Sequence, residues 1–232
     1  MLCLSHPLTT RTPLYGNSGE IKIVHSKQIA LGDATNNTEF HFPGHCGTHI
    51  DAPFHFDGQG KKLEDYPISF WECHQPFLVR YAAQANEILR LETCLSWLET
   101  IPSETDILLV KTGFETLRSS ALESERLTYI LNNPGWAPAV GLWLRENRKL
   151  KMIGFDFISL TSYQNRPLGR VAHRAFLSLK PDGFTEPIQG DPILIIEDMQ
   201  LSLLSQSPQR VIVAPFFYEQ ADGGPVTVFA EL

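Results

Sequence analysis

Eleven residues constrain this chain more than any others: His45-Cys46-Gly47-Thr48-His49-Ile50-Asp51-Ala52-Pro53-Phe54-His55. They bring three histidines and an aspartate into one short stretch, and imidazole nitrogen and carboxylate oxygen are the donors that Zn²⁺ and similar divalent ions bind. In an unbroken strand His45 and His49 would share a face but stand roughly 13 Å apart at about 3.3 Å per residue. Bonds of about 2 Å to one ion cannot span that gap. A helix would bring positions four apart together, as in the H-E-x-x-H zinc motif. Gly44, Gly47 and Pro53 argue against a stable helix here. Glycine at 47 instead permits a sharp turn that folds His49 and Asp51 back towards His45, so a tight loop after a strand is expected. His55, beyond Pro53, is either a further ligand or an unligated base near the metal.

Length and composition set the frame. The chain has 232 residues, 43% hydrophobic and 19% charged, which suits one globular α/β domain over 1–232 with an ample core. A net charge of −7 leaves no electrostatic footprint for nucleic acid. Cys3, Cys46, Cys73 and Cys94 are scattered without a C-x-x-C, so neither a disulfide scaffold nor a zinc ribbon is indicated. Cys46 reads as a small packing residue rather than a thiolate ligand. No apolar run approaches the ~18 residues of a membrane span, and the start has no signal-peptide pattern. A cytoplasmic protein acting on a small molecule, with no nucleic-acid or membrane partner, is the expectation.

Apolar patterning places elements around the motif. Glu20–Leu31 alternates as a strand, and Phe40 and Phe42 lead into the motif past His41. Phe77–Tyr81, Lys151–Phe155, Ile193–Ile196, Arg210–Ala214 and Pro225–Ala230 read as strands, and Ile107–Lys111 has the continuous apolar run of a buried one. Helices are expected over Thr93–Thr100, from Pro138 to about Arg148, from His173 onward, and over Asp198–Leu204. Several strands follow one another, which predicts a mixed rather than purely parallel sheet. No G-x-S-x-G run is present, so a serine nucleophile on an α/β-hydrolase scaffold is disfavoured. Gly58 and Gly60 lack a third glycine at phosphate-loop spacing.

The pattern H-x-G-T-H-x-D-x-P-x-H, complete at His45, Gly47, Thr48, His49, Asp51, Pro53 and His55, resembles the signature of the cyclase family of metal-dependent hydrolases, the family of bacterial kynurenine formamidase and isatin hydrolase. Leu4–Leu8, Thr112-Gly113-Phe114 and Gly154-Phe155-Asp156 resemble further segments of the same family. Tyr15-Gly16-Asn17 stands where relatives often carry Trp-Pro-Gly-Asp, in a segment that commonly lines the substrate pocket. The resemblance covers roughly Leu4 to Leu204.

That resemblance implies a single α/β domain, with a mixed, partly barrel-like sheet packed with helices in a swivelling β/β/α arrangement. It implies two metal ions per subunit, zinc with manganese as the alternative, bridged by Asp51. His45 and His49 supply ligands, and His173 and Glu197 complete the set. Residues 181–191 look like an insertion between those last two. His55 is implied as general acid/base, and Asp156 as a supporting residue rather than a ligand. The implied reaction is hydrolysis of an amide C–N bond in an N-formylkynurenine-type arylformamide. The alternatives are opening of a cyclic amide, as in isatin hydrolase, and a non-catalytic metal or ligand binder on the same fold. A homodimer or homotetramer is implied, in which neighbouring subunits can contribute to the pocket.

Overall fold

A computed structural model describes residues 1–179 and 188–232. Its strands, in chain order, are β1 (Leu2–Cys3), β2 (Lys22–Lys27), β3 (Asn37–His41), β4 (His49–Asp51), β5 (Glu72–Cys73), β6 (Pro76–Arg80), β7 (Ile88–Leu89), β8 (Ile107–Lys111), β9 (Gly135–Trp136), β10 (Met152–Phe155), β11 (Leu194–Glu197), β12 (Arg210–Pro215) and β13 (Gly223–Glu231). The α-helices are α1 (Leu91–Leu98), α2 (Glu123–Leu131), α3 (Pro138–Asn147) and α4 (Arg166–Leu177). Among the described residues no helix is long and apolar enough to cross a membrane.

One nine-stranded sheet runs in the order β5-β12-β13-β4-β11-β10-β8-β6, with β1 joining the far end of β13. The strands from β6 through β8 and β10 to β11 are parallel. β4, β13, β12 and β5 continue the sheet in antiparallel pairs. The two ends of this path, β5 and β6, are separated in the chain only by His74 and Gln75. The sheet is therefore nearly closed and barrel-like, as the family resemblance implies, and mixed, as the succession of strands predicts.

Period-two alternation explains why the central strands are apolar throughout. In β8, Ile107 and Leu109 enter one core while Leu108 and Val110 enter the other. The first core lies among β4, β11, β12 and β13, and the second lies under the helices around Trp136, Phe155 and Phe176. Both faces are buried, so a continuous hydrophobic run results.

Three elements depart from their expected bounds. The strand read over 20–31 ends at Lys27 and passes into a 3-10 turn at Ile29–Leu31. The helix expected over Asp198–Leu204 is reduced to one 3-10 turn, Leu201–Leu203, because Asp198 takes a positive φ of 55° and breaks the chain direction after β11. His173 lies well inside α4 rather than at its start. Pro167 stands in the first turn, where its missing N–H costs nothing. Gly169 packs so close to Thr161 that an added Cβ would lie 3.2 Å from the threonine Cβ. The expected insertion lies largely outside the described residues, since 180–187 are not described.

Candidate metal centre and pocket

The alternation that builds the two cores also builds the site. Ile50 of β4 enters the core on one face of the sheet, which puts His49 and Asp51 on the opposite face. In β11, Ile196 enters the same core as Ile50, so Glu197 joins His49 and Asp51. The register pairs His49 with Glu197 and Asp51 with Ile195. Helix α4 packs over this face and delivers His173. Gly47, at φ +59°, makes the turn that returns the chain from His45 into β4. His49–Asp51 is thus itself a short strand, entered through the tight loop.

Both deeply buried histidines are oriented by main-chain carbonyls. His49 Nδ1 donates to Gly47 O at 2.8 Å and His173 Nδ1 donates to Gly169 O at 2.7 Å. Each Nε2 is thereby left to face the carboxylates. His49 Nε2 lies 3.2 Å from Glu197 Oε2 and 3.6 Å from Asp51 Oδ1. His173 Nε2 lies 3.5 Å from Glu197 Oε1 and 3.6 Å from Asp51 Oδ2. Four donors around a tetrahedral ion with bonds of about 2.1 Å stand about 3.4 Å apart. His49 Nε2 and one oxygen each of Asp51 and Glu197 lie close enough together to converge on one ion, and His173 Nε2 faces the other oxygen of each carboxylate.

His45 and His55 form the outer half. His45 Nδ1 donates to Asp51 Oδ1 at 2.8 Å, and its Nε2 to Asp222 Oδ2 at 3.0 Å. His55 Nδ1 donates to the same Asp222 Oδ2 at 2.9 Å, and the two imidazoles stack with centroids 3.9 Å apart. Tyr218 donates its hydroxyl to Asp222 Oδ1 at 2.8 Å. Space for His45 exists because Gly223 is the register partner of Asp51 and has no side chain. A Cβ there would lie 2.4 Å from His45 Cε1. His45, Asp51 and His55 make a second group whose donor atoms could converge on an ion, and Asp51 belongs to both groups.

The electrostatics follow from this crowding. Burial acts to lower the pKa of His45, but the Asp51 charge and the hydrogen bonds to Asp222 and Asp51 outweigh it and raise the group to about 10. Burial likewise opposes protonation of His49 and His173, and Glu197 then Asp51 raise both. Burial pushes Asp51 up, yet His45 and the other histidines hold it well below the usual carboxylate range. Hydrogen bonds from His45 and His55 depress Asp222 in the same way. In Glu197, burial and Asp51 raise the pKa, while hydrogen bonds from His173 and His49 bring it below its ordinary value. Cys46 also lines the cavity, but burial pushes its thiol up to about 11, which disfavours a thiolate.

The six residues singled out from the sequence, His45, His49, Asp51, His55, His173 and Glu197, all line one cavity of about 250 Å³. That volume suits one aromatic ring with small substituents, since about 150 Å³ already holds benzene. Phe56 stacks on His173 at 4.5 Å, and Tyr15 also lines the cavity. Asp156 stays outside: its carboxylate accepts from Thr112 N, Thr112 Oγ and Gly113 N, closing the turn after β8. His41 is exposed on β3. Sequence reasoning missed Asp222, which stands 167 residues from the histidine it contacts. It also missed Arg166 and Arg170 at the cavity mouth.

A barrel-like mixed sheet with histidines and carboxylates gathered at the carboxyl end of its parallel strands defines the class. The sequence profile of the family described as "Putative cyclase" matches residues 2–161, and the chain belongs to that family. A kynurenine formamidase of Geobacillus thermodenitrificans (strain NG80-2) is 29% identical over 205 residues, covering 87% of this chain and 79% of the relative. The solved structure of isatin hydrolase A from Ralstonia solanacearum shares the fold with a TM-score of 0.74 at 17% identity, over 98% of this chain and 89% of that one. A structure described as a potential metal-dependent hydrolase with cyclase activity gives a TM-score of 0.69 at 18% identity, over 98% and 95% of the two chains.

Proposed function

We propose that this chain is a metal-dependent hydrolase that cleaves the amide C–N bond of a small aromatic substrate, an arylformamide of the N-formylkynurenine type. The observation that carries the reading is the buried group of His49, Asp51 and Glu197, whose donor atoms could converge on one ion, with His173 Nε2 3.5–3.6 Å from the same two carboxylates. The kynurenine formamidase relative supports the choice of amide. We assign two zinc ions per subunit, with manganese as the alternative, because a His/carboxylate set suits both. Asp51 would be shared between the ions and His45 would serve the outer one. His55 is assigned as the proton-transfer residue.

A divalent ion held there would polarise the substrate carbonyl and make water nucleophilic near neutral pH. The remaining work falls to the chain's own groups. Gly47 O and Gly169 O fix which nitrogen of His49 and His173 faces inward. Asp222 holds His55 through Nδ1, leaving Nε2 to deliver a proton to the departing nitrogen. Phe56 and Tyr15 line the cavity and offer aromatic surface against which a substrate ring can pack.

The test is elemental analysis of wild type beside Asp51→Ala, followed by turnover of formylated anilines and of isatin. Bound zinc or manganese largely lost in the variant, together with formate release, supports the reading. Failure to retain any metal after incubation with either ion would overturn it. Turnover of isatin alone would move the substrate to the cyclic amides.

We also propose self-association as a dimer or tetramer. The β2–β3 hairpin and the segment before β13 expose Val24, Phe40, Phe216 and Phe217, apolar side chains that a subunit interface would cover. Light scattering that returns only the 26.1 kDa monomer would exclude it.

A further inference from the structure

Helix α4 does more than carry His173. Arg166, Gly169, Arg170 and His173 fall at intervals of three and four, so they share one face, and all four line the cavity. Along the helix axis Arg170 stands about 4.5 Å from His173, and Arg166 about 10.5 Å. The cavity is therefore polar along its length. Asp51 and Glu197 lie buried at its inner end, and two exposed guanidinium groups lie at its mouth. No ion pair holds either arginine among the described residues. Arg166 stacks over the Tyr163 ring at 4.3 Å, and Tyr163 in turn meets Tyr15 edge-on with centroids 5.6 Å apart. Stacking fixes the plane of a guanidinium while leaving its in-plane N–H donors free.

We infer that Arg166 and Arg170 select substrates whose aromatic part carries a carboxylate. The inference rests on the arylamide reading of the same site and adds the charge class of its substrate. On the arylamide reading the reacting amide faces the metal-binding residues at the inner end, which leaves the carboxylate at the mouth beside the two arginines. The ring between them occupies the space beside Phe56 and Tyr15. The spacing along α4 matches Arg170 to a carboxylate close to the amide and Arg166 to one farther along the molecule. In a chain of net charge −7 this face supplies the local positive potential that a small anion needs.

The experiment is calorimetric binding of 2-formamidobenzoate, 4-formamidobenzoate and uncharged formanilide to metal-loaded protein. Wild type is set beside Arg166→Ala, Arg170→Ala and the double variant. Both arginines are exposed, so the variants fold, and melting temperature checks that directly. Wild type is expected to bind at least one carboxylate about tenfold or more tightly than formanilide, the scale of a hydrogen bond to a charged group. The double variant should lose that preference while its formanilide affinity stays unchanged. Equal affinities in wild type, a preference that survives the double variant, or no binding of any probe overturns the inference. A carboxylate preference without cleavage of any probe would instead sink the arylformamidase reading and leave the arginine clamp standing.

Discussion

His49 and Glu197 stand directly opposite one another across the antiparallel pair β4–β11, with Nε2 3.2 Å from Oε2. A one-residue slip of that register would turn both side chains into the core on the other face. The apolar residues Ile50 and Ile196 fix the register by filling that core. The site's geometry is thus a by-product of hydrophobic packing. Glu197→Gln should keep the strand pair, because Leu160 N still finds the side-chain oxygen it now uses. The expected outcome is a near-native circular dichroism spectrum with most of the bound metal lost. Full metal content in the variant would remove Glu197 from the donor set.

His55 and Asp222 separate chemistry from metal holding. His55→Ala is expected to retain metal while turnover falls by ~10²–10⁴. Asp222→Asn should weaken metal binding by ~10–100-fold, because it loosens His45, and should also lower turnover by unfixing the His55 ring. Elemental analysis run beside kinetics on both variants decides. If His55→Ala loses its metal, His55 is a ligand.

The raised histidines give the metal-free chain an unusual alkaline limb. His45 goes from an ordinary 6.5 to about 10, so its contribution to stability is complete below 6.5 and is lost as pH climbs through 10. Asp51 and Asp222 are depressed, so their contribution is present above the ordinary value of 3.8 and is lost as pH falls below it. Melting temperature in chelator should therefore decline from about pH 6.5 towards 10. With zinc bound, the ion takes the place of those protons and the decline should flatten. Parallel curves with and without metal would show that these histidines are not its ligands.

Behind the site, Arg118 grips Asp198 through two parallel bonds, Nε to Oδ1 at 2.7 Å and Nη2 to Oδ2 at 2.8 Å. The Tyr129 hydroxyl donates to the same carboxylate. Thr48 Oγ donates to Asp198 O at 2.6 Å, which ties the loop before His49 to the end of β11. Arg118→Ala leaves a buried carboxylate without its cation and should cost about 3–5 kcal/mol. Urea unfolding of the metal-loaded variant measures it. A loss below about 1 kcal/mol would mean that Tyr129 alone satisfies Asp198.

Much of this was legible from the chain. Ile107–Lys111 forms the strand that its apolar run predicts, and Pro138 opens α3 as its position suggests. The histidine cluster announced itself because its members are neighbours in sequence. Asp222 did not, because Ala221-Asp222-Gly223-Gly224-Pro225 reads as an ordinary turn until β13 brings Gly223 opposite Asp51. The early start of α4 was hidden by Pro167 and Gly169. One is tolerated at a helix start, and the other is set by close packing against Thr161. With that start hidden, the face that holds both arginines was hidden too.

The cluster around Asp51 draws on residues 45–55, 173, 197 and 222, and that scatter sets an order of events during synthesis. The histidine-rich stretch leaves the ribosome early, long before α4, β11 and Asp222 exist. A nascent chain displays His45, His49 and His55 without the groups that would close the cage, so any ion it picks up is held loosely and can exchange. Only when β13 completes the sheet does Asp222 arrive beside His45 and His55. On the proposed metal reading, the complete donor set therefore exists only in the folded chain, so metal affinity and folding are coupled.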